Sequence, residues 1–190
     1  QAIALGDADI IVAGGMENMS LIPHYMHLRN GQKFGPKTME DGMQKDGLVD
    51  AYDHQAMGVS ADLCAKEHGF SREEQDQFAE HSYIKAQTAT KSGWFSNEIV
   101  SVSVPQRKGV PIIVDQDEEP QRINFEKMKV LRPAFEKSGT ITAANASKIN
   151  DGAAAVLITS EEFAHSYDLK PQAKMTAQAS FAHEPDWFTT

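Results

Sequence analysis

Few residues in this chain could act as a nucleophile or grip an anion, and they fall into three groups. Cys64 is the single cysteine. A thiolate is the natural acceptor for an acyl group, but it needs a helix N-terminus, a histidine or a cation to lower its pKa. Cys64 lies between Leu63 and Ala65 in a helical stretch, which suits a small core hydrophobe rather than a reactive thiol. Ser147, in Asn145-Ala146-Ser147, offers a hydroxyl that could contact a ligand or cap a turn, while Asn145 and Asn150 suit turns pinned by side-chain to backbone hydrogen bonds. The third group is basic: Arg122, Lys127, Lys129, Arg132, Lys137 and Lys148 fall close together. On charge alone, this cluster fits either a mixed-charge solvated surface or a seat for an anionic small molecule.

Composition removes several alternatives. A net charge of −9 argues against a chain-wide basic surface for nucleic acid. One cysteine excludes an intramolecular disulfide framework and a cysteine-rich zinc site, and suits a reducing compartment. No apolar run approaches membrane-spanning length, so no membrane partner is expected.

The elements that must position these residues alternate between strand and helix. Residues 1–5 look like the last turn of a helix, with Gly6 at a left-handed C-cap. So short a helix hardly nucleates alone, and the chain is expected to be an internal piece of a longer protein. Residues 10–13 suggest a buried strand in a covered sheet. Residues 20–53 are a long excursion of weak periodicity, of the kind that is usually functional or interfacial. A helix is expected over 58–68. A second should start at Ser71, where Glu74 completes a capping box, and run to Ser92, with Ala79, Tyr83 and Ala86 on its inner face. Residues 99–104 and 110–114 suggest a hairpin. An acidic, proline-containing loop at 115–120 leads to the basic cluster. Residues 140–144 are strand-like, 153–158 suggest another buried strand, 161–167 a helix, and 173–179 a further strand. The pattern is α/β with an inserted helical and loop region.

Three segments, quoted as they stand, carry a resemblance over nearly the whole chain: VAGGMENMS at 12–20, MGVSADLCAKEHGFSREEQDQFA at 57–79, and GTITAANASKINDGAAAVLITS at 139–160. In order and spacing they resemble the thiolase family. The resemblance implies a thiolase-like fold in which residues 1–20 are part of the N-terminal core half, 21–138 form an inserted loop domain with CoA-binding and oligomer-contact segments, and 139–190 return to the core. It implies acyl transfer through an acyl-cysteine: a thiolate attacks a thioester, and a second acyl-CoA becomes the carbon nucleophile. The family's catalytic cysteines and histidines correspond to positions before Gln1 and after Thr190, so no catalytic residue is expected in this chain.

CoA and substrate contacts carry over by resemblance to Met57, Tyr83, Arg122, Ile123, Asn124, Lys127 and Ser147. Arg122 and Lys127 have the chemistry for phosphate, and a guanidinium can also stack on adenine. Asn124 stands where relatives carry an acidic residue. Tyr83 with Ala143, Ala144 and Ala146 corresponds to a potassium site of the potassium-activated acetoacetyl-CoA branch; otherwise the alanines mean only close packing. Ala56 replaces the histidine usual in that branch, which weakens the inference of acyl-chain preference. The expected activity is acetyl-CoA C-acetyltransferase, with a longer-chain 3-ketoacyl-CoA thiolase and a non-catalytic CoA-binding relative as alternatives. CoA thioester is expected as substrate, with no tightly bound cofactor. A homo-oligomer, a dimer of dimers through residues 23–43, and a cytoplasmic or mitochondrial location complete the expectation.

Overall fold

The computed structural model describes residues 1–189. They divide into two compact units, one made of Gln1–His54 with Lys148–Phe188, the other of Gln55–Ser147. Residues 21–54 thus group with the first unit and residues 139–147 with the second.

The first unit is built on two antiparallel strands, β1 (Ile10–Asn18) and β6 (Asp151–Thr159), paired without a break from Ile10 opposite Thr159 to Asn18 opposite Asp151. A one-turn helix α1 (Ala2–Leu5) precedes β1 and ends at Gly6, whose φ of 77° is the expected left-handed cap. β1 starts at the expected Ile10 and runs past Ala13, β6 contains the expected 153–158, and in this chain much of the pair is open. Val12 and Met16 are each 72% exposed, and Leu157 58%. Ile11, Ala13 and Ile158 are half-buried, and the other aliphatic side chains of the pair meet solvent. The excursion contributes β2 (His24–Tyr25), paired antiparallel with β3 (Glu40–Asp41), and a π-helical turn at Gln44–Leu48. Tyr25 donates to Asp46 Oδ2 at 2.6 Å, and Lys45 pairs with Glu40. After β6, Ser160 caps α6 (Glu161–Ser166) by accepting from Phe163 N at 3.0 Å. Residues 173–179 form no strand, contrary to expectation, and remain extended coil.

The second unit is led by two helices, α2 (Met57–Glu67) and α3 (Arg72–Lys91). The capping box is present: Ser71 Oγ accepts from Glu74 N, and Glu74 Oε2 accepts from Ser71 N at 2.8 Å. Ala79, Tyr83 and Ala86 are half-buried and Ala89 is buried, so the inner face lies where the periodicity placed it. The hairpin forms, shorter than expected, from β4 (Val102–Val104) and β5 (Ile112–Val114). Two single-turn helices follow, α4 (Glu119–Arg122) at the end of the expected acidic loop and α5 (Phe125–Met128) in the basic stretch after it. Residues 140–144 are not a strand. Side chains and a turn take most of their backbone groups, and the Ile141 carbonyl accepts from Ala134 N at 2.8 Å.

Candidate functional site

The site is organised along one face of α3. Positions 72, 76, 79, 83 and 87 are three or four residues apart and therefore share a face. At its start, Arg72 donates through Nε to Asp76 Oδ2 at 2.8 Å, through Nη1 to the Leu131 carbonyl at 3.0 Å, and through Nη2 to the Met128 carbonyl at 2.9 Å. The two carbonyls close the chain just after α5, and they take charge-assisted bonds from a fork whose geometry is fixed. Farther along, the Tyr83 ring meets Phe125 edge to face, with centroids 6.4 Å apart. Gln87 Nε2 donates to the Pro120 carbonyl at 2.6 Å. One helix thus holds α4, α5 and the turn beyond them.

The same helix holds residues 139–147. Gln75 Nε2 donates to Thr140 Oγ1 at 3.0 Å, and Asp76 Oδ1 accepts from Asn145 Nδ2 at 3.0 Å. From α2, Asp62 Oδ1 accepts the backbone N–H groups of Thr140 at 2.7 Å and Ile141 at 3.1 Å. Asp62 is buried, and its Oδ2 has no hydrogen-bond partner among the described residues. Residue 139 must be glycine for this approach, since a Cβ there would overlap the Asp62 carboxylate. Within the segment, Asn145 accepts from Thr142 N at 2.7 Å and donates to the Thr140 carbonyl at 3.1 Å. Ala146 N donates to the Thr142 carbonyl at 3.0 Å, and fully buried Thr142 caps Ala144 N through Oγ1. Asn145 therefore pins the turn, as its sequence context suggested.

Of the expected site residues, Tyr83 is on α3, and residues 122–127 and 143–147 lie in the two segments it holds. Ser147 and Ala143 are exposed, Ala146 is half-buried and Ala144 is buried. Tyr83 is half-buried, as is Ile123. Asn124 uses its Oδ1 to cap α5, accepting from Lys127 N at 2.9 Å, and the Lys127 side chain is exposed. Arg122 is exposed and paired with Glu118 at 2.7 Å. Beside it, a groove of about 330 Å³ is lined by Ile112, Val114, Asp115, Asp117, Glu118 and Arg122 among others. Glu118 occupies one face of the guanidinium, and an anion reaching Arg122 would meet that carboxylate or use the remaining N–H donors. Met57 opens α2 and is 40% exposed.

Cys64 is half-buried within α2, less enclosed than a core position would be. No group of three or more His, Cys, Asp or Glu among the described residues could hold a metal, and no described helix is long and apolar enough to cross a membrane. Sequence reading missed Asp62, Arg72, Gln75, Asp76 and Gln87. The signal available was the spacing of Arg72, Asp76 and Gln87 on the face already assigned to Ala79 and Tyr83.

Known proteins share both the sequence and the arrangement. A cytosolic acetyl-CoA acetyltransferase of Gibberella zeae is 49% identical over the whole chain, which covers 48% of that protein. An acetyl-CoA acetyltransferase of Saccharomyces cerevisiae is 48% identical, with the same coverage of each. The chain thus spans about half the length of the curated relatives it matches. A crystal structure of the Acat5 thiolase from Ascaris suum, in complex with coenzyme A, superposes with a TM-score of 0.79 at 44% identity, over 90% of this chain and 43% of that one. The family pattern for the thiolase N-terminal domain matches residues 1–162, and the chain belongs to the thiolase family.

Proposed function

We propose that the protein containing this chain is an acetyl-CoA C-acetyltransferase, which joins two acetyl-CoA into acetoacetyl-CoA and CoA, or reverses that reaction, through an acyl-cysteine intermediate. In this reading the chain supplies CoA binding, and the cysteines and histidines of the chemistry lie elsewhere in the full-length protein. The observation that carries it is the joint suspension of two segments from α3: residues 120–131 through Gln87, Tyr83 and Arg72, and residues 139–147 through Gln75 and Asp76. Those segments hold every proposed CoA contact except Met57 and Tyr83. The full-chain identity to proteins named acetyl-CoA acetyltransferases favours the acetyl substrate over a longer chain.

Arg122 and Lys127 would take the phosphates, Ile123 and Asn124 the adjoining nucleotide end, Ser147 the chain between nucleotide and thioester, and Met57 the acyl end. Tyr83 with the backbone oxygens of Ala143, Ala144 and Ala146 would hold potassium, which would supply fixed positive charge beside this loop. Neutral oxygen donors and a hydroxyl suit a large monovalent cation, and the tight turn at Thr142 holds the alanines in place. The apolar side chains of the excursion, including Phe34 at 97% exposure and Leu28 at 61%, support a homo-oligomer, a dimer of dimers, since such side chains need a partner surface. A cytoplasmic location follows the relative named cytosolic.

Steady-state thiolysis by the full-length protein tests this function. Acetoacetyl-CoA should be preferred over 3-ketoacyl-CoA of eight or more carbons, and an acyl-enzyme should be trapped by mass spectrometry on acid quench. A preference for the long substrate would favour the β-oxidation reading that Ala56 permits, and no acyl-enzyme at all would favour a non-catalytic CoA-binding protein. Arg122→Ala should raise KM by about tenfold or more with kcat unchanged, because a contact remote from the thioester binds ground and transition states alike.

A further inference from the structure

We propose that Asp62 and Asp76 are positioning residues for CoA: two carboxylates on different helices set residues 139–147, and Arg72 ties that setting to the end of α5. The inference rests on the reading of Ser147 as a CoA contact. It starts from what residues 139–147 lack. They belong to no strand and no helix, so no backbone ladder fixes their register. Single backbone bonds at Gly139, Ile141 and Ala146 contribute, and side chains supply the rest. Asp62 Oδ1 accepts two successive N–H groups, from Thr140 and Ile141, which sets the direction of the chain as it enters.

Asp76 controls the other end through Asn145. A side-chain amide has a donor end and an acceptor end of nearly the same shape, and its neighbours decide which way it points. Here the acceptor end meets Thr142 N, while the donor end meets the Thr140 carbonyl and Asp76 Oδ1. A carboxylate can only accept, so Asp76 holds the donor end towards itself and the acceptor end towards Thr142. Ser147 follows Asn145 by two residues and inherits its placement. The other oxygen of Asp76 takes Arg72 Nε, and the same guanidinium holds the Met128 and Leu131 carbonyls. The chain of charged bonds therefore runs from the Ser147 loop to the close of α5, whose first turn carries Lys127. Disturbing Asp76 should loosen both proposed CoA contacts, whereas removing either contact should affect that contact alone.

The test uses the full-length protein, with CoA affinity by calorimetry and kinetics with acetoacetyl-CoA for Asp76→Asn, Ser147→Ala, Arg122→Ala and the double variant Asp76→Asn/Ser147→Ala. Asparagine keeps the shape of Asp76 but sets a donor against Arg72 or against Asn145. We expect Asp76→Asn to raise both CoA Kd and KM about tenfold with kcat within about twofold. We also expect Ser147→Ala to add little in the Asp76→Asn background, a coupling that independent sites do not show. A purely structural role would lower thermal stability while leaving the Kd of the folded protein and the additivity intact, and that result would overturn the proposal. If Ser147→Ala and Arg122→Ala both leave Kd unchanged, the CoA reading fails and the proposal with it. If they raise Kd and Asp76→Asn does not, the CoA reading stands and the positioning role falls. Should Asp76→Asn not fold, Arg72→Lys replaces it; lysine can reach Asp76 or a carbonyl but not all three acceptors, and an unchanged Kd in that variant overturns the proposal equally.

Discussion

Residues 55–147 and the β1–β6 pair settle their side chains in opposite ways. In the helical unit, Asp62, Ala65, Ala89, Met128, Thr142 and Ala144 are buried, and loop backbone groups find partners on helix side chains. In the strand pair, nine consecutive residues on each side are matched, no apolar side chain is fully buried, and most stay open. The helical unit contains reasons for its own conformation. The strand pair contains a pairing rule but no cover, and a strand rich in Val, Ile and Leu is built to be covered. Local order in one part of a chain therefore says little about whether another part is self-sufficient.

The comparison sharpens most where the strands should gain cover in the full-length protein. Val156 and Leu157 are neighbours in β6, so they point to opposite faces. Val156→Ala and Leu157→Ala should each destabilise the full-length protein, Leu157→Ala by roughly 2–5 kcal/mol, measured by denaturant unfolding. If one variant is neutral, that face of the sheet is open in the complete molecule. Next in size is Asp62→Ala, which strips the acceptor from two backbone N–H groups and should cost about 2–3 kcal/mol. Gly139→Ala should approach the same loss by displacing the carboxylate, and a near-neutral result for both would break the claim that this unit holds itself. Ser71→Ala should cost about 1 kcal/mol through the lost N-cap, read as a lower Tm.

The smallest effect concerns pH. The Ser71 backbone N–H and hydroxyl hold Glu74 below the usual carboxylate range, so its folded pKa lies below its unfolded value of about 4.3. That contribution is fully present above the unfolded pKa and is lost as pH falls through the lowered folded value. Glu74→Gln should therefore narrow the stability gap to wild type as pH drops from 6 to 3. A gap that widens on acidification would contradict the assignment.

These contrasts also explain what could be read from sequence. The capping box at Ser71 and Glu74, the turn at Asn145 and the hairpin are local, and each formed as expected. The strand-like Thr140-Ile141-Thr142 misled because β-branched residues favour strands. Asp62, far away in sequence, took two of its N–H groups and left no edge to pair. The helices α4 and α5 do not show in the sequence because each is a single turn, too short for periodicity. Charge alone left the basic cluster as a mixed-charge surface or an anion seat, and Arg122 pairs with Glu118 and Lys129 with Glu126. Of the site, the residues that would touch ligand came through resemblance. The residues that hold them came through structure, because Arg72, Asp76 and Asp62 act on partners 56 to 79 positions away or more than one helix distant.

The central claim is that α3 holds residues 120–131 and 139–147 as one CoA-binding assembly. Amide hydrogen exchange on the full-length protein, with and without saturating CoA, tests it most directly. CoA should slow exchange in both segments together, with the α3 amides from Arg72 to Gln87 following and the β4–β5 hairpin unchanged. Protection confined to one segment, or appearing in the hairpin while both segments stay unprotected, would contradict the account.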